Sequence, residues 1–160
     1  GYGLPAAVGA AFAIGGDTGR RVILITGDGG LAVNITELAT LARHRLDVKI
    51  ILFNNRGHAM CRQTQRTWLG GEYPSTSYDG GLATPGYWEV ADAYGIRAVH
   101  VDNLRLALDE VRLMMRNDGP NFLQLDIGAE YQIVPQVRAG RLLQDADPQL
   151  PREEIAEVMD

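Results

Sequence analysis

The sequence predicts an α/β protein in which helices flank a parallel sheet on both faces. Short continuous apolar runs, rich in β-branched residues, are typical of buried parallel strands. Segments with helical periodicity separate these runs, which is the alternation expected of βαβ units. The 160 residues, 46% of them hydrophobic, are enough for one domain with a buried core.

The first third of the chain predicts helix, strand, helix and strand in turn. Residues 4–14 predict a helix with Pro5 in its first turn, and residues 21–26 ("RVILIT") predict a strand. The segment from Asn34 to Glu37 fits a capping box at the start of the next helix. Residues 48–55 ("VKIILFNN") then predict the second buried strand.

The remainder repeats this alternation around one long connection. A short helix is predicted over 57–68, and the glycine-rich segment 69–86 predicts a long mobile loop of the kind that often forms a functional lid. Further helices are predicted over 87–95 and 103–117, and further strands over 96–101 and 121–127.

The helix predicted over 103–117 is amphipathic. Its predicted core-facing residues recur in step with the helical period and are Leu104, Leu108, Val111 and Met115.

Two regions are predicted along the chain. Residues 1–130 form the ligand-binding domain, and residues 131–160 form a polar C-terminal tail with scattered prolines. The chain opens with "GYGLPAAVG", without an initiator Met, which we take as a cut at the N-terminal edge of a domain within a longer protein.

Charge and hydropathy exclude several classes of partner. A net charge of −5 without a basic run argues against nucleic acid. The longest apolar stretch, residues 4–14, is shorter than the roughly 20 residues needed to cross a bilayer, so no membrane association is predicted. The single Cys61 cannot form an internal disulfide, which favours the cytoplasm as the compartment.

Polar side chains follow two consecutive predicted strands. Asp28 lies just past the C-terminal end of the first strand, and Asn55 lies at the C-terminal end of the second. If these strands are neighbours, about 4.8 Å apart, both side chains overhang one crevice at the carboxyl edge of the sheet. A carboxylate and an amide oxygen suit Mg²⁺ that shares its remaining ligands with a phosphate. Gly29 and Gly30 leave room for phosphate oxygens, so a Mg²⁺-diphosphate site is predicted.

These residues carry a family resemblance. Gly27-Asp28-Gly29, followed by Asn54-Asn55, resembles the cofactor signature of thiamine diphosphate enzymes. The segments "GYGLPAAVGA", "NITELATL" and "NNRGHAM" are similar to the C-terminal, diphosphate-binding domain of the acetolactate synthase group. The resemblance covers about residues 1–130.

The resemblance implies roles for individual residues. Asp28 and Asn55 would bind Mg²⁺ through their side chains, and Gly57 through its backbone carbonyl. The cofactor-binding set that it implies is Gly27, Asp28, Gly29, Gly30, Val33, Asn55, Gly57, His58 and Met60. Within this set, His58 would lie by the diphosphate, and Val33 would take the place of a larger apolar residue beneath the bent cofactor.

The resemblance also implies a thiamine diphosphate-dependent decarboxylase or carboligase that acts on a small 2-oxo acid. The activating Glu would come from a separate pyrimidine-binding domain of the same or another subunit. This chain alone is therefore expected to be inactive, and the working protein is expected to be a homo-oligomer. Any FAD in the parent protein would bind elsewhere. Thr64 stands where true acetolactate synthases carry Trp. The tail is similar to that of acetolactate synthase-like proteins encoded together with surface-polysaccharide sugar genes.

Two alternative functions are open from sequence. The chain could be a stand-alone small subunit of a heteromeric thiamine diphosphate-dependent decarboxylase. It could also be a nicotinamide dinucleotide-binding module, because residues 1–6 ("GYGLPA") match G-x-G-x-x-A.

Overall fold

The structure is a computed structural model that describes residues 1–15, 19–129, 132–137, 140–142 and 145–159. The chain divides into two compact units, Gly1–Ala129 and Glu130–Asp160. Residues 130 and 131, at the predicted boundary, lie outside the described residues. The division of function between residues 1–130 and 131–160 stays a prediction.

The first unit alternates helices and strands. Its helices are α1 (Gly3–Ile14), α2 (Asp28–Ala32), α3 (Leu38–His44), α4 (Ala59–Trp68), α5 (Tyr87–Ala93) and α6 (Leu104–Met114). Its strands are β1 (Val22–Gly27), β2 (Val48–Asn54), β3 (Arg97–Val101) and β4 (Asn121–Asp126). A short 3₁₀ turn, Ile35–Glu37, precedes α3.

The four strands form one parallel sheet in the order β1-β2-β4-β3. The register pairs Gly27 with Phe53 and Asn54 with Asp126. The carboxyl ends of β1, β2 and β4 therefore lie at one edge of the sheet. This confirms the predicted α/β class, and it meets the condition that the first two strands are neighbours.

Helices cover both faces of the sheet. On one face, residues of α1, α3 and α5 pack with Leu24, Ile50 and Phe122. On the other face, residues of α6 pack with Leu123 and Leu125. Because successive strand residues point to opposite faces, Phe122 and Leu123 belong to different cores. The predicted arrangement, with helices on both faces, is confirmed.

The face of α6 that enters the core agrees with the prediction only in part. Val111 packs against the core as predicted, and Ala107 and Met114 are buried, whereas Leu104 and Leu108 are 66% and 49% exposed. Leucines occur around most of this helix, so hydrophobic periodicity does not specify one face. The smaller Ala107 allows the helix to lie close to the sheet, and the buried stripe is rotated toward it.

The predicted capping box is also wrong. The Asn34 side chain makes no cap hydrogen bond and instead donates from Nδ2 to the Gly1 carbonyl oxygen at 2.8 Å. Glu37 accepts a hydrogen bond from the Thr40 hydroxyl at 2.9 Å. The chain becomes helical earlier, at Asp28, because the strand passes directly into α2.

The outer face of β1 is open. Ile23 and Ile25 are 51% and 63% exposed, and their neighbour Phe53 on β2 is 36% exposed. In the order of the four strands, β1 is an edge strand. Its apolar composition is that of a strand buried on both faces, whereas only Leu24 is fully buried.

The second unit contains a two-stranded antiparallel ribbon and a helix. The ribbon pairs β5 (Gln136–Val137) with β6 (Ala146–Asp147), and α7 spans Arg152–Met159. Across the described ranges of both units, no helix is long and apolar enough to cross a bilayer.

Candidate functional site

The candidate site lies where β1 and β2 end. Asp28 is the first residue of α2, directly after the last residue of β1, and Asn55 directly follows β2. The Asp28 side chain is buried, with the residue only 3% exposed. A buried carboxylate requires compensating donors or a cation, because its transfer from water is costly.

Backbone amides compensate part of this charge. The Asp28 carboxylate accepts from the Gly29 N–H at 2.8 Å and from the Gly57 N–H at 2.9 Å. The bond from Gly57 joins the end of β1 to the turn after β2, across 29 residues of sequence. Two strand ends are thereby held together around one carboxylate.

Asn55 contributes an acceptor without a donor. Its Oδ1 atom is buried and has no hydrogen-bond partner within the described residues. Buried polar atoms in native proteins are almost always satisfied, and an exception indicates a bound water, ion or ligand group. Asn55 was predicted from the sequence as a metal ligand, and a cation at this oxygen would satisfy it.

The donor set fits Mg²⁺ bound together with a diphosphate. Among the residues that the structure describes, no group of three or more His, Cys, Asp or Glu side chains could hold a metal ion. A protein-only cage is therefore not built here. One carboxylate, one amide oxygen and one backbone carbonyl leave coordination positions for phosphate oxygens and water, which is how Mg²⁺ is commonly bound.

Two glycines of the site are closely packed. A Cβ added at Gly29 would lie 2.6 Å from Nδ1 of His58, so this imidazole rests directly on the Gly29 backbone. A Cβ added at Gly57 would lie 2.6 Å from the Thr76 carbonyl oxygen. The turn at Asp28 is thus closely packed against His58 and Gly57. A Cβ added at Gly30 would meet only the Thr26 hydroxyl oxygen, at 3.2 Å.

Thr76 anchors the connection 69–86 to the site. Its carbonyl oxygen accepts from the His58 N–H at 3.1 Å, and its hydroxyl donates to Oε1 of Gln65 at 2.6 Å. Thr76 is 8% exposed. The segment that was predicted as a mobile loop has no helix or strand, but it is fastened at this point.

The two apolar residues predicted to contact the cofactor lie at the surface. Val33 is 69% exposed and Met60 is 49% exposed. Val33 follows α2, and Met60 lies in the first turn of α4. The site therefore combines a buried polar centre at Asp28 with two exposed apolar side chains, one directly after α2 and one in α4.

The amino-acid sequence that forms this site matches a known protein family. The model of the thiamine pyrophosphate enzyme C-terminal TPP-binding domain matches residues 1–125. The chain belongs to this family. The matched region includes all the predicted site residues of the TPP-binding domain. It also includes residues 1–6, whose dinucleotide-like motif begins α1.

Relatives and solved structures agree with this family. The acetolactate synthase large subunit of Porphyra purpurea is 33% identical over 88% of this chain and 23% of its own length. The acetolactate synthase isozyme 2 large subunit of Escherichia coli (strain K12) is 36% identical over 88% of this chain and 24% of its own. The TPP-binding domain thus spans about a quarter of these relatives.

A solved structure extends the likeness to the fold. The thiamine diphosphate-dependent 4-hydroxybenzoylformate decarboxylase of Rhodococcus jostii RHA1 superposes with a TM-score of 0.70 and 28% identity, over 79% of this chain and 23% of its own. The domain is therefore acetolactate synthase-like in sequence and shares its fold with a thiamine diphosphate-dependent decarboxylase.

Sequence reasoning missed a polar cluster beside the candidate site. Asp126 ends β4 and lies next to Asn54 in the register of the sheet. It follows the same rule that identified Asp28 and Asn55, because it stands at the carboxyl end of a parallel strand. The motif "LQLD" at 123–126 could have indicated it.

The environment of Asp126 favours its charged form. Burial by itself would raise the pKa of its carboxyl group. Hydrogen bonds from Arg56, Gln124, Asn54 and His100 outweigh this effect and lower the pKa from 3.8 to about 2. The carboxylate is therefore ionised throughout the neutral range.

Tyr87 is a further buried residue near the Asp28 carboxylate. It begins α5 and is 2% exposed. Burial raises the pKa of its hydroxyl group, and the negative charge of Asp28 raises it further. Tyr87 thus lies within electrostatic reach of the Asp28 carboxylate.

Proposed function

We propose that the chain supplies the Mg²⁺-diphosphate half of the cofactor site in a thiamine diphosphate-dependent decarboxylase or carboligase that acts on a 2-oxo acid. The unsatisfied Asn55 Oδ1 atom carries this proposal, since Asn55 and the buried Asp28 follow the ends of two paired strands. A cation there would balance the carboxylate charge and satisfy the orphaned oxygen together.

In this proposal Asp28, Asn55 and the Gly57 carbonyl hold Mg²⁺. When bound, the cofactor supplies the electron sink for decarboxylation. Gly29 and Gly30 border the diphosphate, and His58 adds a side chain that can donate to a phosphate oxygen. Val33, directly after α2, and Met60 in α4 offer apolar contacts to the cofactor.

Catalysis is proposed to require a second, pyrimidine-binding domain. The family resemblance assigns the activating Glu to that domain, and this chain spans only about a quarter of its relatives. The 160-residue chain is accordingly expected to bind cofactor weakly and to show no turnover. A homo-oligomer that brings such a domain to the site, with or without FAD elsewhere, is the proposed working form.

Calorimetric titration of thiamine diphosphate tests the proposed ligands. We expect binding that requires Mg²⁺ and is lost in Asp28→Asn. Asn55→Leu is the sharper variant, because it removes an unsatisfied buried oxygen. We expect it to leave the free energy of unfolding unchanged or higher while it weakens binding by about tenfold or more.

Asp102→Asn is the matched control, since Asp102 is exposed and follows β3. It should bind as the unaltered chain does. Titration of NADH in the same buffers separates the dinucleotide alternative. Binding of thiamine diphosphate that is independent of Mg²⁺, or tight binding by Asn55→Leu, would contradict the proposed site.

A further inference from the structure

The Asp126 carboxylate lies at the centre of a polar cluster on the opposite side of β2 from Asp28. Its side chain is 13% exposed. Oδ1 accepts from Nδ2 of Asn54 at 2.9 Å and from Nε2 of Gln124 at 2.8 Å. Oδ2 accepts from Arg56 at 2.8 Å and lies 3.2 Å from Nε2 of His100. Donors from three strands and one turn thus converge on one carboxylate.

Asn54 links the Asp126 carboxylate to the turn that carries the proposed ligands Asn55 and Gly57. Its Oδ1 atom accepts from the Arg56 backbone N–H at 3.2 Å. Arg56 has φ +55°, a left-handed conformation that is unfavourable for a residue with a Cβ and therefore needs support. The next N–H along the chain, that of Gly57, donates to Asp28.

The orientation of the Asn54 amide depends on Asp126. An ionised carboxylate accepts hydrogen bonds but cannot donate them, so the Asn54 NH₂ group must face it and the Asn54 oxygen must face Arg56. Gln124 is oriented by the same carboxylate, and its Oε1 atom accepts from the Trp88 N–H at 3.1 Å. An amide at position 126 can both donate and accept hydrogen bonds, so it would no longer fix the orientation of the Asn54 and Gln124 amides.

From this geometry we propose that Asp126 is a positioning residue that holds the turn 54–57 so that Asn55 and Gly57 face Asp28. The proposed role in cofactor binding rests on the proposed function. The role in shaping the turn does not, and it is measurable without any ligand. Asp126 acts through Asn54 and Arg56, the two residues of the turn that donate to its carboxylate.

Hydrogen exchange of the Gly57 amide, followed by NMR on the 160-residue chain without ligand, is the primary test. The N–H is bound to Asp28, so it is expected to be protected. In Asp126→Asn we expect it to exchange roughly fivefold faster or more, because the turn no longer holds it. The Asp109→Asn variant, at an exposed carboxylate paired with Arg112, is the matched control and should leave Gly57 unchanged.

Titration of Mg²⁺ at fixed thiamine diphosphate is the second readout. We expect Asp126→Asn to weaken the apparent Mg²⁺ affinity about tenfold, as for other outer partners of metal ligands. Excess Mg²⁺ should restore cofactor binding. A purely structural loss would lower the folded fraction instead, which circular dichroism in the same samples measures.

Unchanged Gly57 protection in folded Asp126→Asn would overturn the positioning role. If that variant does not fold, Asp126→Glu keeps the charge and displaces the oxygens by one methylene, and unchanged protection there has the same meaning. If the unaltered chain binds no cofactor while Asp126→Asn exposes Gly57, the proposed function fails and the positioning role stands.

Discussion

Space around Gly57, rather than its backbone conformation, is what requires glycine at this position. The residue is buried against the Thr76 carbonyl and the Arg62 guanidinium, and its φ is not positive. The Arg62 side chain is itself held by the Ala129 carbonyl oxygen at 2.8 Å. A methyl group here meets a backbone atom that cannot rotate away.

We therefore expect Gly57→Ala to lower the free energy of unfolding by about 1–3 kcal/mol, the usual cost of overpacking. Gly9→Ala is the matched control. Gly9 lies within α1 with nothing within 4 Å of an added Cβ, so alanine there should raise stability by about 0.5–1 kcal/mol. Urea denaturation of both variants measures the difference. Equal effects at the two positions would contradict this account.

At the same scale, the metal-ligand prediction for Asn55 came from residue type and position. Its decisive property, a buried oxygen without a donor, depends on atoms that pack around it from other segments. Asp28 was identified in the same way, whereas its bond to the Gly57 N–H spans 29 residues and could not be inferred from local pattern.

At the scale of elements, the carboxylate of Asp126 ties β4 to β2 and β3. Its pKa is about 2 in the folded chain, below the value near 3.9 expected when unfolded. A lowered pKa means that the unfolded chain binds the proton more readily. The stabilisation is therefore fully present above about pH 4 and is lost as the pH falls toward 2.

We expect this carboxylate to contribute about 1–2 kcal/mol at neutral pH, after allowance for the solvent-exposed partner Arg56. The unfolding free energy of the unaltered chain should fall by this amount between about pH 4 and pH 2, relative to Asp126→Asn, which lacks the titrating group. Denaturation curves across that range make the measurement. Parallel pH profiles for the two proteins would show that the carboxylate contributes nothing.

The helices show which structural features hydrophobic periodicity predicts and which it does not. Most element positions follow the prediction closely, because apolar runs and helix-breaking residues act over a few positions. The inward face of α6 does not, since Leu104, Leu106 and Leu108 all remain about half exposed or more. A helix with leucines on several sides acquires its orientation from the strands that it covers, here β3 and β4.

At the scale of the whole molecule, β1 leaves an apolar surface and, among the described strands, an unpaired edge. Ile23 and Ile25 are more than half exposed on it. Edge strands with apolar faces tend to pair with other chains. We expect the isolated chain to self-associate through this surface as its concentration rises.

Sedimentation velocity tests this expectation. The double variant Ile23→Thr/Ile25→Thr keeps β-branched residues in the strand and should remain monomeric at concentrations where the unaltered chain associates. Leu69→Gln, at a 67% exposed residue directly after α4, is the control and should behave as the unaltered chain. The same association in the double variant would place the contact elsewhere.

Local pattern was sufficient for the α/β class, for the four strands of the parallel sheet and for Asp28 and Asn55 at the ends of two of them. These features depend on a period of two or 3.6 residues and on the chemistry of single side chains. The partners that converge on Asp126, the anchoring of Thr76 and the inward face of α6 could be known only from the folded chain. Each arises from segments far apart in sequence, whose meeting is set by the packing of the sheet and not by any one stretch of residues.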